Sequence, residues 1–215
     1  MRSLFFLGDS ISIHYGPFVR QMTEGRFLYD RKRGEEQALA DLDQPVGANG
    51  GDSARVLEYL LSERSRGTTY DLLLLNCGLH DMKTDPHTGG KQVPPDTYRR
   101  NLEEIIGAAQ SMAAAVIWVR TTDAVEAVHN TPASGFLRFH EDAVAYNAIA
   151  DDVMSGHEVP LLDLYTFTQR FGEDAYCDHV HFKEEIRRLQ AAFIAGYLER
   201  WISCSWLTGD KENRP

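Results

Sequence analysis

Tyr70-Asp71-Leu72-Leu73-Leu74-Leu75-Asn76-Cys77-Gly78-Leu79-His80-Asp81 passes from an unbroken apolar run to a polar cluster. Leu72 to Leu75, stopped by Gly78, predict a strand over Tyr70–Asn76. An uninterrupted apolar strand suits a sheet covered on both faces, as parallel sheets are. Three further runs repeat the pattern: Ser3–Leu7 stopped by Gly8, Ala114–Val119, and Val159–Leu164.

Between these runs lie helical periodicities. Val56, Leu57, Leu60 and Leu61 form one stripe, with Asp52 or Ser53 as its N-cap. Tyr98, Leu102, Ile105, Ile106, Ala109 and Met112 form a second after Pro94-Pro95. Val144, Ala148, Ile149 and Val153 form a weaker third, and Ile186, Leu189, Phe193, Ile194, Tyr197, Leu198 and Trp201 a strong last one. Alternating strands and helices predict an α/β fold with a parallel sheet. Gly25–Pro45 is polar; a strand is expected at Arg26–Tyr29, and its charge run, Arg31-Lys32-Arg33 then Glu35-Glu36, as a solvated face. His80–Pro95, with Gly89-Gly90 and three prolines, reads as a loop. A single domain is expected over 1–207, with 208–215 as a disordered tail.

The chain has 215 residues, with 22 Lys+Arg against 32 Asp+Glu, a net charge of −10. So acidic a protein is not built to bind nucleic acid or an anionic membrane through its general field, and a strongly anionic substrate would need local positive charge. Cys77, Cys177 and Cys204 are too few and odd in number for a disulfide framework. They fit a reducing, cytoplasmic setting. The start, Met1 to Leu7, reads as a first core strand rather than a signal peptide, because its apolar part is short and no small-residue cleavage site follows. No apolar run is long enough to insert into a membrane.

Each strand ends in polar residues: Gly8-Asp9-Ser10, Gly78-Leu79-His80-Asp81 and, some way on, Asp178-His179-Val180-His181. Ligand sites in open α/β sheets lie outside the carboxyl ends of the strands, so these clusters are expected to converge. Ser10 is a candidate nucleophile that needs a base to take its proton. Gly8 permits the tight strand-to-helix turn that presents it; the plainer reading is that Asp9 or Ser10 simply caps a helix. In Asp178-x-x-His181 the aspartate can hold one ring nitrogen and leave the other facing Ser10; the plainer reading is a cap on the last helix.

Taken in order, these blocks resemble the SGNH/GDSL hydrolase family from Gly8 to His181. The resemblance implies a flavodoxin-like three-layer α/β/α sandwich with a mostly parallel sheet of about five strands. It also implies ester hydrolysis by a Ser-His-Asp triad without a cofactor or metal. Gly8-Asp9-Ser10-Ile11 matches the nucleophile block, and Asp178 with His181 the last block. Gly50-Gly51-Asp52-Ser53 matches the second block, assigning the Gly51 amide to the oxyanion hole beside that of Ser10. A backbone N–H can approach an oxyanion closely only where no side chain intervenes, which a glycine ensures. The third block departs: His80 stands where the family has Asn. A neutral imidazole can donate one hydrogen bond, so His80 is expected as the third donor, neutral and oriented by Asp81. Asp9 is expected to hold its turn, and Asn49 and Asp52 to orient the second block.

Rival readings are a metal site drawing on Cys177, His179 and His181 with His14, His80 or His87, and a non-catalytic binding module on the same scaffold. The metal reading lacks the usual ligand spacings. Within catalysis, a lysophospholipase or thioesterase is the alternative. The polar segments His80–Pro95 and Asp123–Phe139 point instead to a small acyl group on a polar carrier, such as an O-acetylated carbohydrate. The expected partner is a small-molecule ester; the oligomeric state is left open.

Overall fold

A computed structural model describes residues 1–131 and 134–208, the side chains of 203–208 apart. Five parallel strands form one sheet in the order β2-β1-β3-β4-β5: β1 (Arg2–Leu7), β2 (Phe27–Arg31), β3 (Tyr70–Leu75), β4 (Ala113–Val119) and β5 (Leu161–Leu162). Leu72 to Leu75 of β3 lie beside Leu4 to Leu7 on one side and Ala115 to Trp118 on the other. All four leucines are fully buried. Both faces of the strand are therefore covered, as its composition predicts.

Helices α1 (Ser10–Met22) and α8 (Glu184–Thr208) pack together as one layer, joined by the short α7 (Leu164–Gln169). Helices α3 (Ser53–Ser65), α4 (Pro95–Met112) and α6 (His140–Gly156) form the other. The stripe on α4 is buried throughout, from Tyr98 to Met112. Short α2 (Glu35–Ala40) and α5 (Glu126–His129) sit in connections. The order 2-1-3-4-5 makes the chain reverse direction across the sheet between β1 and β3, which opens a crevice at their carboxyl ends.

Several expectations need correcting. The last strand is only Leu161–Leu162, because Pro160 has no N–H and Asp163 already caps α7 by accepting from the Thr166 N–H (3.0 Å). On α6 the buried face is turned from the predicted one, with Val153 buried and Ile149 partly buried as expected. Val144 and Ala148 are exposed, while Asp142, Ala143, Tyr146, Asn147 and Ala150 turn inward. Polar partners set that rotation: Asp142 pairs with Lys91, and Asn147 brackets Thr121, accepting from its N–H (3.0 Å) and donating to its carbonyl (2.8 Å). On α8 Leu189 is exposed and Gln190 buried, reaching Thr168 (3.4 Å). Arg31 is no solvated residue; it is buried at the end of β2 and donates to the carbonyl of Ser12 (3.0 Å). Thr208 closes α8 rather than opening a tail, and 209–215 lie outside the described residues.

Candidate active site

The site is built from chain reversals at the carboxyl ends of β1 and β3. After β1, Asp9 caps α1: its carboxylate accepts from the Ile11 N–H (3.0 Å) and its carbonyl from the Ser12 hydroxyl (2.6 Å). Cap and presented hydroxyl are thus neighbours, and Ser10 starts the helix with only 5% of its surface exposed. Burial raises the Asp9 carboxyl, against the Ile11 N–H and the positive potential of His181 and Arg138.

From the other end of the chain, His181 Nε2 lies 2.8 Å from Ser10 Oγ. His181 Nδ1 lies 2.8 Å from Asp178 Oδ2. A carboxylate only accepts, so Nδ1 carries the proton and Nε2 is left to accept from the Ser10 hydroxyl. Asp178 Oδ1 also accepts from the N–H groups of Val180 (2.8 Å) and His181 (2.7 Å). Burial alone would raise this carboxyl; the bonds from the His181 ring and the two amides outweigh it and hold it well below the usual carboxylate range. A hydroxyl hydrogen-bonded to an imidazole so fixed can pass its proton to the ring while attacking a carbonyl. Helix α8 starts at Glu184, three residues beyond His181, so neither Asp178 nor His181 lies in its first turn.

After β3 the chain turns at Gly78, whose φ of +148° is unfavourable for other residues and whose Cβ would lie 2.6 Å from Thr121 Oγ1. The crevice walls are tied by side chains that periodicity does not reveal. Asn76 Nδ2 donates to Val119 O (2.9 Å) and Thr121 Oγ1 (3.0 Å), and Thr121 Oγ1 donates to Cys77 O (2.9 Å). Arg138 Nε donates to Leu79 O (3.0 Å), fixing the turn before His80. Asn76, at a strand end, is the one of these that strand-end polarity could have flagged; nothing local marks Arg138.

His80 is buried, with no hydrogen-bond partner on Nδ1. Burial, with Lys83 and Arg138 nearby, pushes its pKa well below the usual histidine value, so the ring is neutral. The expected orientation by Asp81 does not occur. Asp81 instead accepts from the Ser53 N–H (2.8 Å), its other oxygen unpartnered, and burial pushes its carboxyl up to about 7. Adjacent side chains in a turn diverge, and the Asp81 carboxylate is taken by α3.

The Gly50 N–H donates to Gly8 O (2.9 Å), joining the second block to the first. Gly51 has φ +75°, and its N–H donates to Asn49 Oδ1 (2.9 Å). Its amide is thus held by Asn49 here. Asp52 caps α3 through the Arg55 N–H (3.1 Å). His14, one helical turn beyond Ser10, sets its ring 5.1 Å from that of His181 and is lowered to about 4, by burial first and then by Arg187. Cys77 is buried and Cys177 exposed. Burial pushes the Cys77 thiol far up, so it is no nucleophile. Among the described residues no three His, Cys, Asp or Glu side chains converge as metal ligands, and no helix is long and apolar enough to cross a membrane.

Comparison with known proteins agrees with this architecture. No curated protein matches the chain by sequence. Among solved structures, a lipase/acylhydrolase from Enterococcus faecalis is similar, with 20% identity and a TM-score of 0.67 over 92% of this chain and 95% of its own. An acetyl xylan esterase is 14% identical, TM-score 0.67, over 91% and 99% of the two chains. The psychrotrophic esterase EstA from Pseudoalteromonas sp. is 13% identical, TM-score 0.63, over 94% and 100%. At these identities the likeness establishes the fold. Residues 6–189 match the GDSL-like lipase/acylhydrolase family, a span running from β1 into α8. The chain belongs to the GDSL-like lipase/acylhydrolase family and is a carboxylic ester hydrolase.

Proposed function

We propose that the protein is a serine esterase that removes a small acyl group, such as acetyl, from a polar carbohydrate carrier. The observation that carries this reading is the hydrogen-bonded chain from Ser10 Oγ through the His181 ring to Asp178. Ser10 attacks the ester carbonyl while His181 Nε2 takes the hydroxyl proton. His181 returns that proton to the leaving alcohol, giving an acyl-enzyme. Water then repeats the sequence, His181 accepting its proton, and releases the carboxylic acid and free Ser10. Asp178 keeps the ring in the working tautomer and stabilises the imidazolium between the two proton transfers.

The oxyanion is assigned to the Ser10 amide at the start of α1, the Gly51 amide and the His80 side chain. A neutral His80 supports this, because its one N–H stabilises the oxyanion without a second cation beside His181. The Gly51 amide joins by exchanging its bond to Asn49 Oδ1 for one to the substrate oxygen. The preference for a polar carrier rests on the character of the segments around the site. The acetyl xylan esterase among the similar structures lends support. The free Cys77 and Cys177 favour a reducing compartment.

Hydrolysis of p-nitrophenyl acetate, its longer-chain homologue and an acetylated sugar tests the reading in wild type and Ser10→Ala. Turnover that falls with chain length and vanishes in Ser10→Ala is expected. A preference for the long chain would move the enzyme toward lipid or thioester substrates. A wild type that neither turns over nor reacts with a fluorophosphonate at Ser10 would be a binding protein.

A further inference from the structure

The loop between α2 and α3, which carries Gly50 and Gly51, is held by cations. Lys32 Nζ donates to Asn49 O (3.0 Å), Arg55 Nη1 to Pro45 O (3.4 Å) and Lys83 Nζ to Asp43 O (3.1 Å). Among the described residues, none of these three cations has a carboxylate oxygen within 4.0 Å. A carbonyl carries only a partial charge, so each clamp holds its cation without a carboxylate in direct contact.

Lys83 and Arg55 line one cleft of about 640 Å³, with Asp43, Asp52 and Phe136. The cleft wall touches two segments of the site, at Gly51 and at His179. A Cβ on Gly51 would lie 2.7 Å from Pro45 Cβ and 2.8 Å from Arg55 Cδ, both in its wall. Asp43, also in the wall, lies 3.7 Å from His179 Nε2, two residues before His181. Behind the wall, Arg138 is 2% exposed, and its Nη1 has no hydrogen-bond partner and lies 3.9 Å from Asp43.

The cleft's carboxylates, Asp43, Asp52 and Asp85, equal its cations Arg55, Lys83 and Lys91 in number, but each has partners of its own. Asp52 accepts from the Arg55 N–H (3.1 Å) and from Gln92 Nε2 (2.6 Å). Asp85 accepts from its own loop at His87 and Thr88. Lys91 is neutralised by Asp142. Asp43 faces His179 and Arg138 and is held at about 2, chiefly by His179. Lys83 is lowered to about 8, by burial first and then by Arg138, against the pull of Asp43, Asp52 and Asp41.

We propose that this cleft holds the alcohol part of the ester and selects an acidic one: a carboxylate on a sugar-like alcohol, bound by Lys83 and Arg55 against the Phe136 ring. This rests on the esterase reading of Ser10. A chain of net charge −10 repels anions at long range, so recognition of this kind has to be local. Phe136 borders the site, with Lys83 Nζ 4.1 Å and the Arg138 guanidinium 4.9 Å from its ring centre.

The test is binding of glucuronate, glucose and glucose 6-sulfate to the full chain carrying Ser10→Ala, by calorimetry, with thermal melting to confirm folding. Glucuronate is expected to bind about tenfold or more tightly than glucose, and to weaken with salt. Lys83→Gln and Arg55→Gln should each weaken it about tenfold, and Lys83→Arg should keep it. Equal binding of glucuronate and glucose, or no loss in either Gln variant, overturns the proposal. So does preference for the sulfate. Wild-type hydrolysis of acetylated glucose without glucuronate selectivity removes the acidic site and leaves the esterase. Glucuronate binding by a protein that hydrolyses no acetyl ester does the reverse.

Discussion

Two stretches of the molecule each bring a histidine and an aspartate to the carboxyl edge of the sheet, and they use them oppositely. In Asp178-x-x-His181 the side chains meet at 2.8 Å, and the carboxylate is further held by two backbone amides. In His80-Asp81 they do not meet: Asp81 turns to the start of α3, and His80 Nδ1 is left without a partner. The first pair is three residues apart in a turn that folds back on itself; the second is adjacent, so its side chains leave the chain in different directions. Asp178 is half-open to solvent and strongly acidic, whereas Asp81 is fully buried and pushed up to about 7. Hydrogen bonds govern one carboxyl, desolvation the other.

The contrast can be broken by substitution. Asp178→Asn should lower kcat on p-nitrophenyl acetate about 10⁴-fold, because an amide in its place favours the wrong ring tautomer. An unaffected rate would mean that the pair does not act through Ser10. His80→Ala should cost about 10²–10³-fold, as loss of one oxyanion donor does, and His80→Asn should remain active. Unchanged rates in His80→Ala would remove that ring from the chemistry.

Asp81 carries a pH signature. Its folded pKa of about 7 lies above the ordinary 3.8, so the folded state holds an extra proton between those values. Its contribution to stability is full below about pH 4 and is lost as pH rises through 7. Asp81→Asn should therefore gain on the order of 4 kcal/mol over wild type at pH 8, with almost no gain at pH 4, in urea titrations. Equal pH slopes in the two proteins would show that the carboxyl is ionised in the fold. Smallest in effect, Asn49→Ala removes the acceptor of the Gly51 N–H, together with long Nδ2 bonds to the Leu42 and Gln44 carbonyls, and should cost about 1 kcal/mol. A urea midpoint equal to that of wild type would show that these bonds contribute nothing.

How far these regions are readable from sequence follows from the range of their contacts. The strands β1, β3 and β4 are apolar runs whose burial needs no partner to predict. Ser10, Asp178 and His181 stand in local motifs, and the fold brings them within hydrogen-bond distance. What local pattern misses is buried polarity satisfied from afar. Arg31 turns inward because the Ser12 carbonyl, 19 residues away, accepts from it. Asn147 rotates α6 off its apolar stripe to reach Thr121, 26 residues away, and Arg138 holds Leu79 across 59. The diverging paths of His80 and Asp81 depend on Ser53, which neighbours neither in sequence.

The bond between Ser10 and His181 joins residues 171 apart, with four of the five strands between them in the chain. Hydrolysis therefore reports on assembly as well as chemistry. No fragment ending before Cys177 holds both groups, and a refolding chain can regain its helical signal while still inert. Parallel sheets built from distant pairings form slowly. On unfolding the order inverts, because the exposed Asp178 turn can detach from Ser10 while the leucine-lined strands hold. Turnover should fade in urea before circular dichroism does, which makes the enzyme its own sensor of the last step of folding.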